Sequence, residues 1–126
     1  METKTLLELR SAGVDTESAL RRMGGNAELY ERFLFKFKDD DTFRKIETAI
    51  AENDYDAALR AAHTLKGVSA NLGMNHLSDA CAKIVKLIQS GLCEETTQEL
   101  AQEYPRLKSA HQRICHALSQ DIECKW

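Results

Sequence analysis

Apolar residues along the chain return in steps of three and four, the spacing that gathers them on one face of a helix. Leu6, Leu7 and Leu9 predict a short opening helix ended by Gly13. Asp15 or Thr16 caps a second short helix through Met23, and Gly24 and Gly25 stop it. Asn26 caps a third, whose apolar stripe is Leu29, Tyr30, Phe33, Leu34 and Phe37. Past Asp39, Asp40 and Asp41 the stripe resumes at Phe43, Ile46 and Ile50, but out of phase with the first. Either the helix breaks near Asp41, with the aspartates at a new N-terminus, or one long helix carries a solvated acidic patch. Asn53 or Asp54 opens the next helix, which runs to about Leu72 and ends at Gly73. A tight turn leads to a helix from about Asn75 to Ser90, ended by Gly91, with Cys81 on its core face. The last helix spans about Glu94 to Gln120, with a seam of Thr97, Leu100, Tyr104, Leu107, His111, Ile114 and Leu118. Pro105 lies inside it and should kink it or remove one backbone hydrogen bond.

Amphipathic helices joined by short loops bury their stripes only against each other. The expected fold is all-α, an antiparallel four-helix bundle with short additional N-terminal helices. Composition agrees: one Pro, six Gly and 43% hydrophobic residues suit a helical core, and 126 residues suit a single domain spanning 1–126. Seventeen Lys plus Arg against twenty Asp plus Glu give a formal net charge of -3, which argues against nucleic-acid binding. No apolar run approaches the roughly 20 residues that cross a bilayer. The opening Met1–Arg10 stretch is too charged for a signal peptide. Cys81, Cys93, Cys115 and Cys124 form no C-x-x-C pair and are expected to be reduced thiols in a cytoplasmic setting.

The chemistry lies in the run from Ala61 to Gly73. At about 100° per residue, Ala58, Ala61, Ala62, Leu65, Val68 and Leu72 gather on one side of the helix. His63 points away from them, and Leu59, Arg60, Lys66, Gly67 and Ala70 share its exposed side. Lys66, one turn on, sets an ammonium beside the imidazole, where it compensates charge on phosphoryl oxygens. Gly67 costs roughly 1 kcal/mol relative to Ala in a helix interior, which is tolerated where something must approach closely. Ala70 keeps the surface shallow, and Leu59 and Arg60 offer an apolar and a charged contact to a partner. His63 lies about ten residues before the turn, so Lys83 and Lys86, about ten after it, are expected alongside, making the site locally positive.

His63-Thr64-Leu65-Lys66-Gly67, followed by Ser69-Ala70-Asn71-Leu72-Gly73 and Leu77, resembles the signature of histidine-containing phosphotransfer (HPt) domains. Upstream, Gly13-Val14-Asp15, Ala19 to Asn26 and Leu29-Tyr30 resemble the lead-in found where such domains end hybrid sensor kinases. The resemblance runs from about Gly13 to Leu118 and weakens in the last helix. One departure is Ile84-Val85, where family members often carry Leu-Glu. The resemblance implies a phosphorelay carrier rather than an enzyme with its own ATP site. His63 would accept a phosphoryl group from a receiver-domain phospho-aspartate and pass it to another receiver aspartate, Lys66 assisting and Gly67 admitting the partner. No cofactor of its own is implied, since the receiver would supply Mg²⁺. The implied partners are response-regulator receiver domains or a hybrid histidine kinase, with no nucleic acid and no direct membrane contact. The chain is expected to act as a cytoplasmic monomer, free-standing or as the C-terminal domain of a membrane sensor kinase.

A second class of function is a non-phosphorylated helical adaptor that binds receivers through the same face. Retention of both His63 and Lys66 favours the carrier. His111 and Cys115 sit four apart, a spacing that can share a metal, but His111 lies on the apolar seam and reads as a packed bundle histidine. His76 falls in the turn or the first turn of its helix, and no metal site is expected.

Overall fold

In the computed structural model, residues 3–121 are described. Cys124 and Trp126 lie outside them. The described residues form seven helices: α1 (Thr3–Ser11), α2 (Thr16–Arg22), α3 (Ala27–Lys38), α4 (Thr42–Ala51), α5 (Tyr55–Asn71), α6 (Asn75–Gln89) and α7 (Glu94–Ser119). Caps set their starts. Asp15, Asn26 and Asp54 each accept a hydrogen bond from the backbone N–H three residues on. The break between α3 and α4 is real, and the aspartates hold it open. Asp40 accepts the Thr42 N–H at 2.7 Å, and Asp41 pairs with Lys45 at 3.8 Å. At the head of α7, the Cys93 N–H donates to the Thr96 hydroxyl at 2.8 Å.

Helices α4 to α7 form the expected antiparallel bundle, α5 packed between α4 and α6, and α6 between α5 and α7. The ring closes between α4 and α7. Phe43 stacks on Tyr104 with centroids 6.2 Å apart, and the Tyr104 hydroxyl donates to Glu47 at 2.8 Å. Helices α1 and α3 also pack on α7. The core runs through Leu34, Phe35, Ile46, Leu65, Leu77, Ile84, Leu107, Ile114 and Leu118, all fully buried.

Three details of the stripes differ from the periodic pattern. On α3, Phe35 is buried and Phe33 is 40% exposed, because α3 is covered by α7 on one flank and by the end of α5 on another. On α5, Ser69 is fully buried, while Ala61 and Val68 lie half-buried at the edges of the core. Ser69 is admitted because its hydroxyl donates to the carbonyls of Leu65 at 2.6 Å and Lys66 at 3.1 Å. On α7, Thr97 is exposed and Glu103 is buried, its carboxylate held by Lys83 at 3.6 Å and Arg106 at 3.7 Å.

The N-terminal helices brace the turn between α5 and α6. The Asp15 N–H donates to the Gly73 carbonyl at 2.7 Å, and the Asn75 N–H donates to the Gly13 carbonyl at 3.3 Å. Gly73 has φ +77, and a Cβ there would strike the Asp15 carbonyl oxygen. Only glycine meets both demands.

Candidate functional site

Helix α5 carries the site. Asp54 caps it, and Ala58, Ala62, Leu65 and Ser69 fix its rotation by entering the core. That rotation turns the opposite face outward, so His63, Gly67 and Ala70 are exposed. Among the described residues the His63 ring makes no hydrogen bond, ion pair or ring contact. Lys66 is half-buried on the flank toward α6, where the Ser78 hydroxyl donates to its backbone carbonyl at 3.3 Å. Its ammonium is in no ion pair among the described residues. Thr64 is occupied locally, its hydroxyl donating to the Arg60 carbonyl at 3.1 Å.

A Cβ built on Gly67 would meet nothing within 4 Å. The residue sits in regular helix, so neither conformation nor packing within the chain requires glycine there. The one thing it provides is an absence of side chain beside His63.

Three of the expected partner contacts move. Leu59 is half-buried and packs against the core rather than standing free. Lys83 is on the other side of α6, paired with Glu103 of α7, and with Lys86 lines the α6–α7 groove. Counting ten residues either side of the turn gives the right height on α6. The rotation of α6 is set by Leu77, Cys81 and Ile84 in the core, and it carries the two lysines away from α5. Arg60 and Ala70 are exposed as expected.

Sequence reasoning missed what flanks the site from α2 and α3. An apolar groove of about 460 Å³ runs between α3 and the second half of α5, lined by Met23, Phe33, Phe37, Val68 and Leu72, with Arg22, Lys36 and Asp40 among its polar residues. Arg22 is fixed by donating to the carbonyls of Ala70 at 2.7 Å and Asn71 at 3.4 Å, a cation at a helix C-terminus. Tyr30 donates to the Leu72 carbonyl at 2.9 Å; burial, reinforced by the charge of Asp15, pushes its phenol up to about 12. The unequal burial of α3 could have been sought in Phe33 and Phe35, two aromatics two residues apart and therefore on different sides of the helix.

His111 and Cys115 are packed within the bundle. His111 lies between Phe43, with centroids 4.4 Å apart, and Phe37, at 5.7 Å. Burial lowers its pKa below the usual imidazole value, against the raising effect of Asp40 and Glu47. Cys115 lies 3.6 Å from its ring, and burial pushes that thiol up to about 11. Among the described residues no three His, Cys, Asp or Glu side chains are gathered as a metal would need.

The geometry is thus an exposed imidazole with a lysine one helical turn on and an uncluttered approach, on the outer face of a helical bundle. No helix among the described residues is long and apolar enough to cross a membrane. Neither a curated protein nor a solved structure gives a significant match to the chain. The Hpt domain family profile matches residues 28–117, well over half of the 126 residues, and that span contains the whole of α4, α5 and α6, including His63. The chain therefore belongs to the Hpt domain family, the phosphocarriers of histidine phosphotransfer in phosphorelays.

Proposed function

We propose that His63 is the phosphoryl acceptor, and that the chain takes the group from a receiver-domain phospho-aspartate and returns it to the aspartate of another receiver. One observation carries this reading: His63 is held at the surface by a helix whose other face is locked in the core, beside a glycine that nothing inside the protein requires. In the forward step a ring nitrogen uses its lone pair to form a P–N bond as the P–O bond to the aspartyl carboxylate breaks and that carboxylate leaves. The reverse step regenerates the free ring. Both reacting residues are brought by the two proteins, so the work is positioning and charge compensation. Lys66 compensates charge on the phosphoryl oxygens, Gly67 and Ala70 admit the receiver, and the receiver brings the divalent metal.

The groove of Phe33, Val68 and Leu72 beside this face supports docking of an apolar helix face of the receiver, with Arg22 and Lys36 meeting acidic residues at its edge. The test is transfer of label from a phosphorylated receiver with Mg²⁺. Wild type is expected to gain acid-labile label, and His63→Gln to gain none. Equal label on both proteins contradicts the assignment.

A further inference from the structure

The positive charge expected from α6 lies elsewhere: Lys83 is paired with Glu103, and Lys86 lines the α6–α7 groove. The α6 residues on the flank toward α5 include Ser78, whose hydroxyl donates to the Lys66 carbonyl, and Val85, which is buried; neither carries charge. A phosphoryl group on His63 would still bring negative charge to this surface, and the cations in helical register with the ring are those of α5 itself.

Arg60 meets the need. It precedes His63 by three residues as Lys66 follows it by three, so at about 100° per residue the two cations lie about 60° to either side of the imidazole. Arg60 and Lys66 thus stand one turn before and one turn after the ring, on the same side of the helix. Arg60 is exposed and lines the α4–α5 groove with Arg44 and Thr64. Asp41, Glu52 and Asp54 line the same groove, yet none forms an ion pair with Arg60 among the described residues, and Asp41 is held by Lys45. Thr64 cannot substitute, because its hydroxyl is given to the Arg60 carbonyl.

We propose that Arg60 is a second phosphoryl-binding residue, bracketing His63 opposite Lys66 and holding two oxygens of the phosphorylated ring through its planar fork. The proposal rests on His63 being the acceptor. It places the compensating charge on two sides of one ring, where the family motif alone supplies it from one.

A small donor separates this role from receiver docking. With phosphoramidate, a ring nitrogen of His63 forms a P–N bond as the donor's P–N bond breaks and ammonia leaves, so no partner surface is involved. ³¹P NMR follows the steady-state yield of phosphohistidine and its decay after the donor is removed. Arg60→Ala is expected to lower yield or lifetime by roughly threefold to tenfold, the range for one exposed charge-assisted contact. Arg60→Lys, which keeps the charge and loses the fork, should recover part of the difference. Thermal unfolding midpoints should match wild type for both variants. Wild-type yield and lifetime in Arg60→Ala would overturn the proposal while leaving the acceptor in place, as would Arg60→Lys behaving no better than Arg60→Ala. Wild type that gains no phosphohistidine from either phosphoramidate or a phosphorylated receiver would instead overturn the reading of His63.

Discussion

Gly67 separates stability from function at a single residue. A helical glycine is less favourable than alanine by roughly 1 kcal/mol, and among the described residues a methyl group there would meet nothing within 4 Å beyond its own stretch of helix. Gly67→Ala should therefore raise the free energy of unfolding by about 0.5–1 kcal/mol in urea titrations. Gly67→Leu should also remain folded, yet slow phosphoryl transfer from a receiver by about tenfold or more, because the side chain occupies the space a partner needs. A variant that is no less stable and transfers as fast as wild type would show that the glycine has no role in approach. The exposure of His63 and Gly67 on α5 was legible in the sequence because it depends only on helical register. Lys83 and Lys86 were misplaced because register across a helical hairpin gives height and not rotation, which the core residues of α6 decide.

The bracing of the α5–α6 turn belongs to the scale of elements. Gly13, Asp15 and Gly73 looked like separate punctuation marks in the sequence, yet in the fold they are one joint, with reciprocal backbone hydrogen bonds between segments about sixty residues apart. No local pattern announces such a joint, since neither segment is a periodic element. Gly73→Ala should cost about 2 kcal/mol or more, because it combines a left-handed backbone with a collision against the Asp15 carbonyl. Tyr30→Phe should cost about 1–2 kcal/mol by leaving the Leu72 carbonyl without its donor. Both losses are measurable by chemical denaturation. The helices themselves, and the break at Asp41, followed from caps and phase; the aromatic choice on α3 did not, because Phe33 and Phe35 differ only in which neighbour covers them.

At the scale of the whole molecule, the bundle closes around His111 between α3, α4 and α7, and this gives stability a pH dependence. Burial favours the neutral ring, so the folded state binds a proton less readily than the unfolded chain. The contribution is fully present above the ordinary value of 6.5 and is lost as pH falls through the lower folded value. Glu47, held low chiefly by the Tyr104 hydroxyl and then by Lys108, adds stability above its ordinary 4.5 that is lost in a more acidic range. Urea midpoints should therefore fall in two stages on acidification, and His111→Phe should remove the first stage. An unchanged profile in that variant would assign the first stage to another group. The site itself lies on the outside of this bundle, which serves as a rigid mount for one ring. The chain has four histidines: His76 and His116 are exposed like His63, and His111 is half-buried among aromatics. The most direct measurement is therefore ¹⁵N–³¹P coupling on histidine-labelled protein after incubation with a phosphorylated receiver. The coupling should appear on a ring nitrogen of His63 and on no other histidine. Coupling on His76 or His116, with His63 unmodified, would contradict the account.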